Sequence, residues 1–408
     1  MMDKDVGHAL ACPVEQSSTS PATTVANRLL ERNRIAEDFF QREALHLAQL
    51  SSAMAERFQA GGRLLAFGRG PYSTDAQHVS VEFVHPVIVG KRALPALDLS
   101  ALCGPWLRAI LRPNDIVMGF GPPEGDPEIA AALCEARAAG ALTIALPGAE
   151  GDYHCQPASA DPFIHQEIVE ILYHTLWETV HVFLEHRHEG LDSGDAGFLY
   201  PYLGQQTQDV RELIPEVAGS IRMKAADDAR LRALMAERAS EEIWNASAAI
   251  AACVARGGKL ILFGNGGSAT DANDLAFDCV LPPPGFHTVP AVSLSMEPAN
   301  ITAVANDVGA ELIFLRQLIA QAQPGDVAIG ISTSGGSRNI ILALEEARKR
   351  KMLTVALLGY DGGTIRRQGL ADFAIVVPCD YIPRIQEIQA SVYHVIRQNL
   401  EVIQHGNA

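Results

Sequence analysis

The sequence predicts an α/β protein built from two tandem doubly wound domains, each a parallel sheet flanked by helices. Its 408 residues, 48% hydrophobic and 20% charged, are enough for two ordinary cores. Short β-rich runs alternate with helical patterns, which implies right-handed βαβ crossovers. The chain also repeats itself. RLLAFGRGPYSTDAQHVSVEF (63–83) lies over KLILFGNGGSATDANDLAFDC (259–279) without a gap, and 113–148 lies over 324–359 in the same way. FIHQEIVEILYH (163–174) then corresponds to YIPRIQEIQASVYH (381–394).

In chain order, residues 1–34 read as a flexible tail in which a helix begins. The first repeat, 35–186, places strands near 63–67, 95–99, 114–120 and 141–146. Gly, Asp and Pro break the pattern over 187–220, which reads as a linker. The second repeat, 221–408, places strands near 258–263, 289–294, 325–331, 352–358 and 372–377.

Charge and composition exclude several functions. A net charge of −16 with no Lys/Arg-rich run argues against a nucleic-acid or anionic-membrane partner. The seven cysteines are scattered, odd in number and form no CxxC pair, as expected of reduced thiols in a cytosol. No apolar run approaches the ~20 residues that span a bilayer, and the polar N-terminus has no signal-peptide core. A soluble, cytoplasmic protein is expected.

The strongest chemical signal is in IGISTSGGSRNI (329–340). A strand ending at Ile331 runs into Ser332, Thr333, Ser334, Gly335, Gly336 and Ser337 before a helix starts. The hydroxyls donate, the glycines let backbone N–H groups approach, and the helix N-terminus adds positive partial charge, so the segment reads as an anion cradle at the carboxyl end of a parallel strand. A capped turn needs one hydroxyl, and this loop has four. A second loop, Gly264, Asn265, Gly266, Gly267 and Ser268, opens another helix and could close over the same phosphate.

With these motifs the second repeat resembles the phosphoheptose isomerase branch of the SIS superfamily: GNGGS (264–268), TAVAND (302–307), GISTSGGS (330–337), LLGYDGG (357–363) and RIQEI (384–388) occur in order. The first repeat is a more distant SIS-type relative. The resemblance implies a sugar-phosphate ligand, with sedoheptulose 7-phosphate favoured, and self-association, here a homodimer giving a four-domain assembly. It also implies a zinc ion, with a Glu and a His as base and acid in an aldose–ketose interconversion. Asn265, Gly266, Ser268, Ser332, Thr333, Ser334 and Ser337 would bind the phosphate, and Asp307 and Gln386 the sugar.

The family's metal and catalytic set is a His and a Glu four apart on the helix after the first Gly loop, then a Gln and a His eight apart on the last helix. In the second repeat these positions hold Asp274, Asp278, Gln386 and His394, so the first two are replaced. In the first repeat they hold His78, Glu82, Gln166 and His174, a complete set that would ligate the metal. His78 and Glu82, at i and i+4, share one helix face, and imidazole with carboxylate suits Zn²⁺. Yet the first repeat has Gly121, Pro122, Pro123, Glu124, Gly125 and Asp126 in place of the cradle, and Gly68, Arg69, Gly70, Pro71 and Tyr72 in place of GNGGS. Two prolines lack N–H donors and two acids repel phosphate.

Distance divides the labour. Glu82 lies roughly 15 Å along its helix from Tyr72, and Gln166 about 12 Å from His174, too far to ligate one ion from one segment. The expected site is therefore composite. His78, Glu82 and Gln166 would face a sugar whose phosphate the second repeat holds, with Glu82 as base and His174 or His394 completing the set as acid. His46, His154, His181, His186 and His188 have no such partners and are expected at the surface. The competing expectation is a non-catalytic phosphosugar-sensing regulator or scaffold of the same family.

Overall fold

The computed structural model describes residues 20–87, 91–149, 151–186 and 210–406. The first repeat comprises α1 (Pro21–Gln59), β1 (Leu64–Gly68), α2 (Ser73–Val84), β2 (Ala96–Asp98), α3 (Cys103–Ile110), β3 (Ile116–Phe120), α4 (Pro127–Ala138), β4 (Leu142–Leu146), β5 (Tyr153–His154) and α5 (Pro162–His186). The second comprises α6 (Val210–Arg238), α7 (Ser240–Ala255), β6 (Leu260–Phe263), α8 (Gly267–Val280), β7 (Ala291–Ser293), α9 (Pro298–Asp307) and α10 (Ile313–Gln321). It continues with β8 (Val327–Ser332), α11 (Arg338–Lys349), β9 (Leu353–Leu358), α12 (Gly363–Arg367), β10 (Phe373–Val376) and α13 (Ile382–Gly406).

The strand runs LLAFG, IVMGF and LTIAL are apolar throughout because both faces of a parallel sheet are covered. The sheets have the orders β2-β1-β3-β4-β5 and β7-β6-β8-β9-β10, with every pairing parallel. Chain direction across each sheet therefore reverses beside β1 and β6, where such folds open a crevice at the strands' carboxyl ends. Each expected strand forms within a few residues of its place. The two-residue β5 is the additional one, too short to leave a period in the sequence.

The repeats share their cores. Val25 and Leu29, from the start of α1, pack into the second repeat with Leu260 and Ile329. Leu213, Val217 and Ile221, from the start of α6, pack into the first with Phe39 and Trp177. This exchange corrects two boundaries: residues 21–34 are helix rather than tail, capped by Ser20 and started by Pro21, and 210–220 are helix rather than linker. Residues 1–19 and 187–209 lie outside the described residues. Between the sheets α2 runs against α8 and α5 against α13.

Arg32 on α1 anchors this layer. It is buried, and its Nε donates to both oxygens of Glu167 on α5 at 2.9 and 2.8 Å. Burial alone would raise the Glu167 carboxyl, but Arg32 and His394 outweigh it and hold the pKa at about 2. Arg32→Met should therefore cost roughly 3–5 kcal/mol at neutral pH by leaving a buried charge with too few partners. The contribution belongs to a carboxyl with a depressed pKa, so it is present at neutral pH and is lost as pH falls from about 4.5 through about 2. Urea unfolding of both proteins at pH 7 and pH 3 should show the gap between them narrowing at the lower pH.

Candidate active site

The layer between the repeats forms two clefts related by the internal repeat. In the first, His78 and Glu82 share one face of α2, His174 comes from α5, and Gln386 comes from α13 of the other repeat. His78 Nε2 lies 3.3 Å from His174 Nε2, 3.4 Å from Gln386 Nε2 and 3.8 Å from Glu82 Oε1. Two nitrogens bound to one tetrahedral zinc at about 2.05 Å stand about 3.3 Å apart. Among the described residues, Glu82 Oε2 and Gln386 Oε1 are buried without a hydrogen-bond partner. His78, Glu82 and His174 form a group able to hold a metal ion, and orphaned buried acceptors beside two imidazoles are what a bound cation would satisfy.

The protonation states agree with that use. Burial, with His174 beside it, holds His78 well below the ordinary imidazole value, and burial with Arg384 nearby pushes His174 down to about 3. Both rings are neutral at physiological pH. His174 Nδ1 faces Glu387 Oε1 at 2.9 Å, so its proton sits there and Nε2 turns a lone pair into the cleft. Arg384 in turn holds Glu387 and Asp228. Burial and the neighbouring Glu387 push the Glu82 carboxyl up to about 8.

This set abuts the glycine-rich loop that opens α8 in the second repeat. A Cβ on Gly267, at the start of α8, would meet Gln386 Nε2 and His78 Nε2, so a side chain there would push both groups away. The cradle follows β8, next to β6 in the sheet. Gly335, at φ +58°, has room for no side chain because the Gly362 carbonyl would be 2.2 Å from its Cβ. Ser332 Oγ lies 3.3 Å from Ser337 Oγ and accepts from the Gly335 N–H. Ser337 is the N-cap residue of α11 but makes no side-chain capping bond, which leaves its hydroxyl and the helix N-terminus for an anion. Asn265 ties the two loops together through a reciprocal amide pair with Asn339 at 3.0 and 2.9 Å. Thr333 is half-buried, Ser334 exposed and Ser268 buried.

The second cleft has the same backbone and different chemistry. His394 Nε2 lies 3.4 Å from Asp274 and 3.2 Å from Asp278, while Nδ1 lies 3.0 Å from Glu167. Burial opposes a charge on His394, but bonds to Asp274, Asp278 and Glu167 prevail and hold it well above the usual value. Asp274 also accepts from Thr74, Gln166 and Tyr393, each at 2.9 Å. In the first repeat the position that corresponds to Ser337 holds Asp126, which caps α4 and receives Arg69 at 3.2 Å. Arg69 also meets Glu128 at 3.0 Å.

Several expectations are corrected. Gln166 lines one small polar space with His78 but makes its bonds to Thr74, Asp75 and Asp274, and it is Gln386 that stands 3.4 Å from His78 Nε2; the ~12 Å between Gln166 and His174 lets α5 reach both clefts. Gln386 thus stands beside the imidazoles. His394 belongs to the second cleft, so His174 alone completes the first. Asp307 is exposed at the end of α9, bonded to Asn306. His181 is buried, its ring nitrogens facing the Trp177 and Arg92 carbonyls. Between the clefts lie Asp75, Glu170 and Asp271, buried acids pushed well above the carboxylate range, chiefly by burial. Glu167 and Glu387 were not singled out in the sequence, although each follows the repeated Gln directly.

A tandem pair of 2-1-3-4-5 sheets with a serine-rich anion loop facing a His/Glu set across the repeat boundary defines a protein of the SIS class, and a SIS domain model matches residues 226–359. The phosphoheptose isomerase of Nitratiruptor sp. is 48% identical over 142 residues, 73% of that protein and 34% of this chain. That of Chlorobaculum tepidum is 44% identical over 177 residues, 84% and 42% respectively. The chain belongs to the phosphoheptose isomerase family. The C-terminal domain of glucosamine-fructose-6-phosphate aminotransferase from Francisella tularensis has the same fold over both repeats, with a TM-score of 0.58 at 8% identity, covering 96% of this chain and 98% of that one. Among the described residues no helix is long and apolar enough to cross a membrane.

If the first cleft takes a divalent ion, Glu82 must give up its proton while the neutral imidazoles lose none. Zinc binding to metal-free protein at pH 7 should release about one proton, and the release should fade as pH rises past about 8. Titration calorimetry in two buffers of different ionisation enthalpy measures it. Glu82→Gln should abolish the release, whereas His78→Ala should weaken binding and leave the release in place.

Proposed function

We propose that this chain is a phosphosugar aldose–ketose isomerase working at the first cleft, with sedoheptulose 7-phosphate or a similar sugar phosphate as substrate. The observation that carries this reading is the Gly267 contact, which sets the His78, Glu82, His174 and Gln386 group directly against the phosphate loops of the other repeat. Ser268, Ser332, Thr333, Ser334 and Ser337 hold the phosphate, and C1 and C2 of the sugar lie at the buried set. His78, Glu82 and Gln386 would hold a zinc ion, which would supply Lewis-acid polarisation of the substrate oxygens when bound, and the His174 Nε2 lone pair would stay free for proton transfer.

Glu82, as carboxylate, takes the proton from the carbon next to the carbonyl, giving an enediol, and returns it to the neighbouring carbon. His174 Nε2 takes the proton from the substrate hydroxyl and delivers it to the other oxygen. Glu387 at Nδ1 offsets the charge the ring carries in between. No net proton leaves the site. Asp274 and Asp278 in the second cleft lack an imidazole partner in place of His78 and are bound to a charged His394. We assign them no catalytic step.

Ser334→Ala with Ser337→Ala should weaken sugar-phosphate binding by about 2–4 kcal/mol, from two lost hydrogen bonds to a charged group. Unchanged affinity for every phosphosugar tested by calorimetry would refute the cradle. Glu82→Gln should remove proton exchange at C1 and C2 of a bound ketose phosphate while leaving affinity nearly intact, and Asp278→Asn should cost much less. Exchange at full rate in Glu82→Gln would exclude the first repeat as the catalytic half. Wild-type protein that binds sugar phosphate and supports no exchange would instead be a sensor. A homodimer is expected on family grounds, and light scattering showing a stable 43.8 kDa monomer would refute it.

A further inference from the structure

The second cleft is closed to phosphate but still open to a ligand. Asp126 accepts from the Glu128 and Ile129 N–H groups at 2.8 and 3.1 Å and from Arg69, so the chain's own carboxylate consumes the donors an anion would need. Beside it opens a cavity of about 410 Å³, lined from both repeats. Its walls are the rings of Tyr72, Phe163 and Phe286, the proline run 282–284 and Leu281. Phe163 meets Phe286 edge-on at 5.5 Å and stacks on His394 at 4.9 Å, so the rings are held in place from behind. Leu281 is 56% exposed, and its side chain reaches across to Gly70 of the other repeat.

The charged side chains that line this cavity are acidic, with the charged His394 ring behind Phe163. The acids are Glu124 and Asp278, and none of the cavity's described lining residues is Lys, Arg or His. Asp278 is buried and pairs through Oδ2 with the charged His394 ring at 3.2 Å, while Glu124 lies at the exposed end of the cavity. Phe286 already takes a cation on one face, with the Arg397 guanidinium 5.1 Å from its ring centre. Aromatic faces, apolar walls and the Glu124 carboxylate complement an organic cation.

We propose that the second cleft binds a small organic amine, with its apolar body between the rings and its ammonium turned to Glu124. The site is separate from the isomerase cleft, and its test does not depend on activity. The probes are 2-phenylethylamine, 2-phenylethanol and 2-phenylethyl phosphate, titrated by calorimetry into the full-length protein. Binding at this cleft is read as the part that Leu281→Arg removes, since an exposed position tolerates a guanidinium that fills the cavity and repels the amine. The amine should bind about tenfold tighter than the alcohol, and the phosphate should show no such component. Glu124→Gln should weaken the amine several-fold, and Ser334→Ala/Ser337→Ala should leave it unchanged. Equal binding of all three probes, tightest binding of the phosphate, or amine affinity that survives Leu281→Arg would overturn the proposal.

Discussion

Two hydrogen bonds across the repeat boundary, His174 to Glu387 and His394 to Glu167, hold the rest of this structure in place. Each histidine belongs to one repeat and its carboxylate to the other. A buried ion costs several kcal/mol to desolvate, so these groups are tolerable only where a partner stands in the right place. The partner comes from the opposite repeat, and that requirement fixes how α5 and α13 lie together. Arg32 and Arg384 complete the arrangement by bonding the two glutamates from behind. The exchange of apolar residues between α1 and α6 seals the layer from water, which keeps both pairs dry and specific.

The duplicated clefts differ mainly through two positions. Where the first has His78 and Glu82, the second has Asp274 and Asp278. Beside His78, the His174 ring meets another neutral imidazole and loses its charge to burial. Beside two aspartates, the same ring in the second repeat gains enough field to stay protonated. One cleft is thereby left with lone pairs and orphaned oxygens seeking a cation, and the other carries its own cation on His394. The phosphate ends diverge in the same sense, because Asp126 occupies helix N–H groups that Ser337 leaves available. Two copies of one backbone in a single chain thus present clefts of different charge and chemistry.

The buried acids between the clefts follow from this geometry. Asp75, Glu170 and Asp271 face one another with few cations in reach, and raised pKa values keep them largely protonated. In that state Tyr173 and Tyr393 can share the small polar space they enclose with them. Two stacked copies of one helix pair bring such groups together whenever the same polar positions recur in both.

The sequence by itself determined the duplication, the parallel sheets, the serine cradle and the presence of one complete His/Glu pair, because strand periodicity, loop chemistry and i,i+4 spacing are local properties. It also indicated that Gln166 and His174 are too far apart on one helix to meet the same ion. Which glutamine reaches His78, which histidine completes each cleft, and that Glu167 and Glu387 set their protons were decided only by the tertiary structure. So was the crossing of α1 and α6 into each other's cores, which turned a supposed tail and part of a linker into helix. These are pairings between residues more than 90 positions apart, as the bond from Gln386 to His78 illustrates at a separation of 308. No period or spacing along a chain records them, because they depend on how two finished repeats turn toward each other to satisfy charges that neither can bury alone.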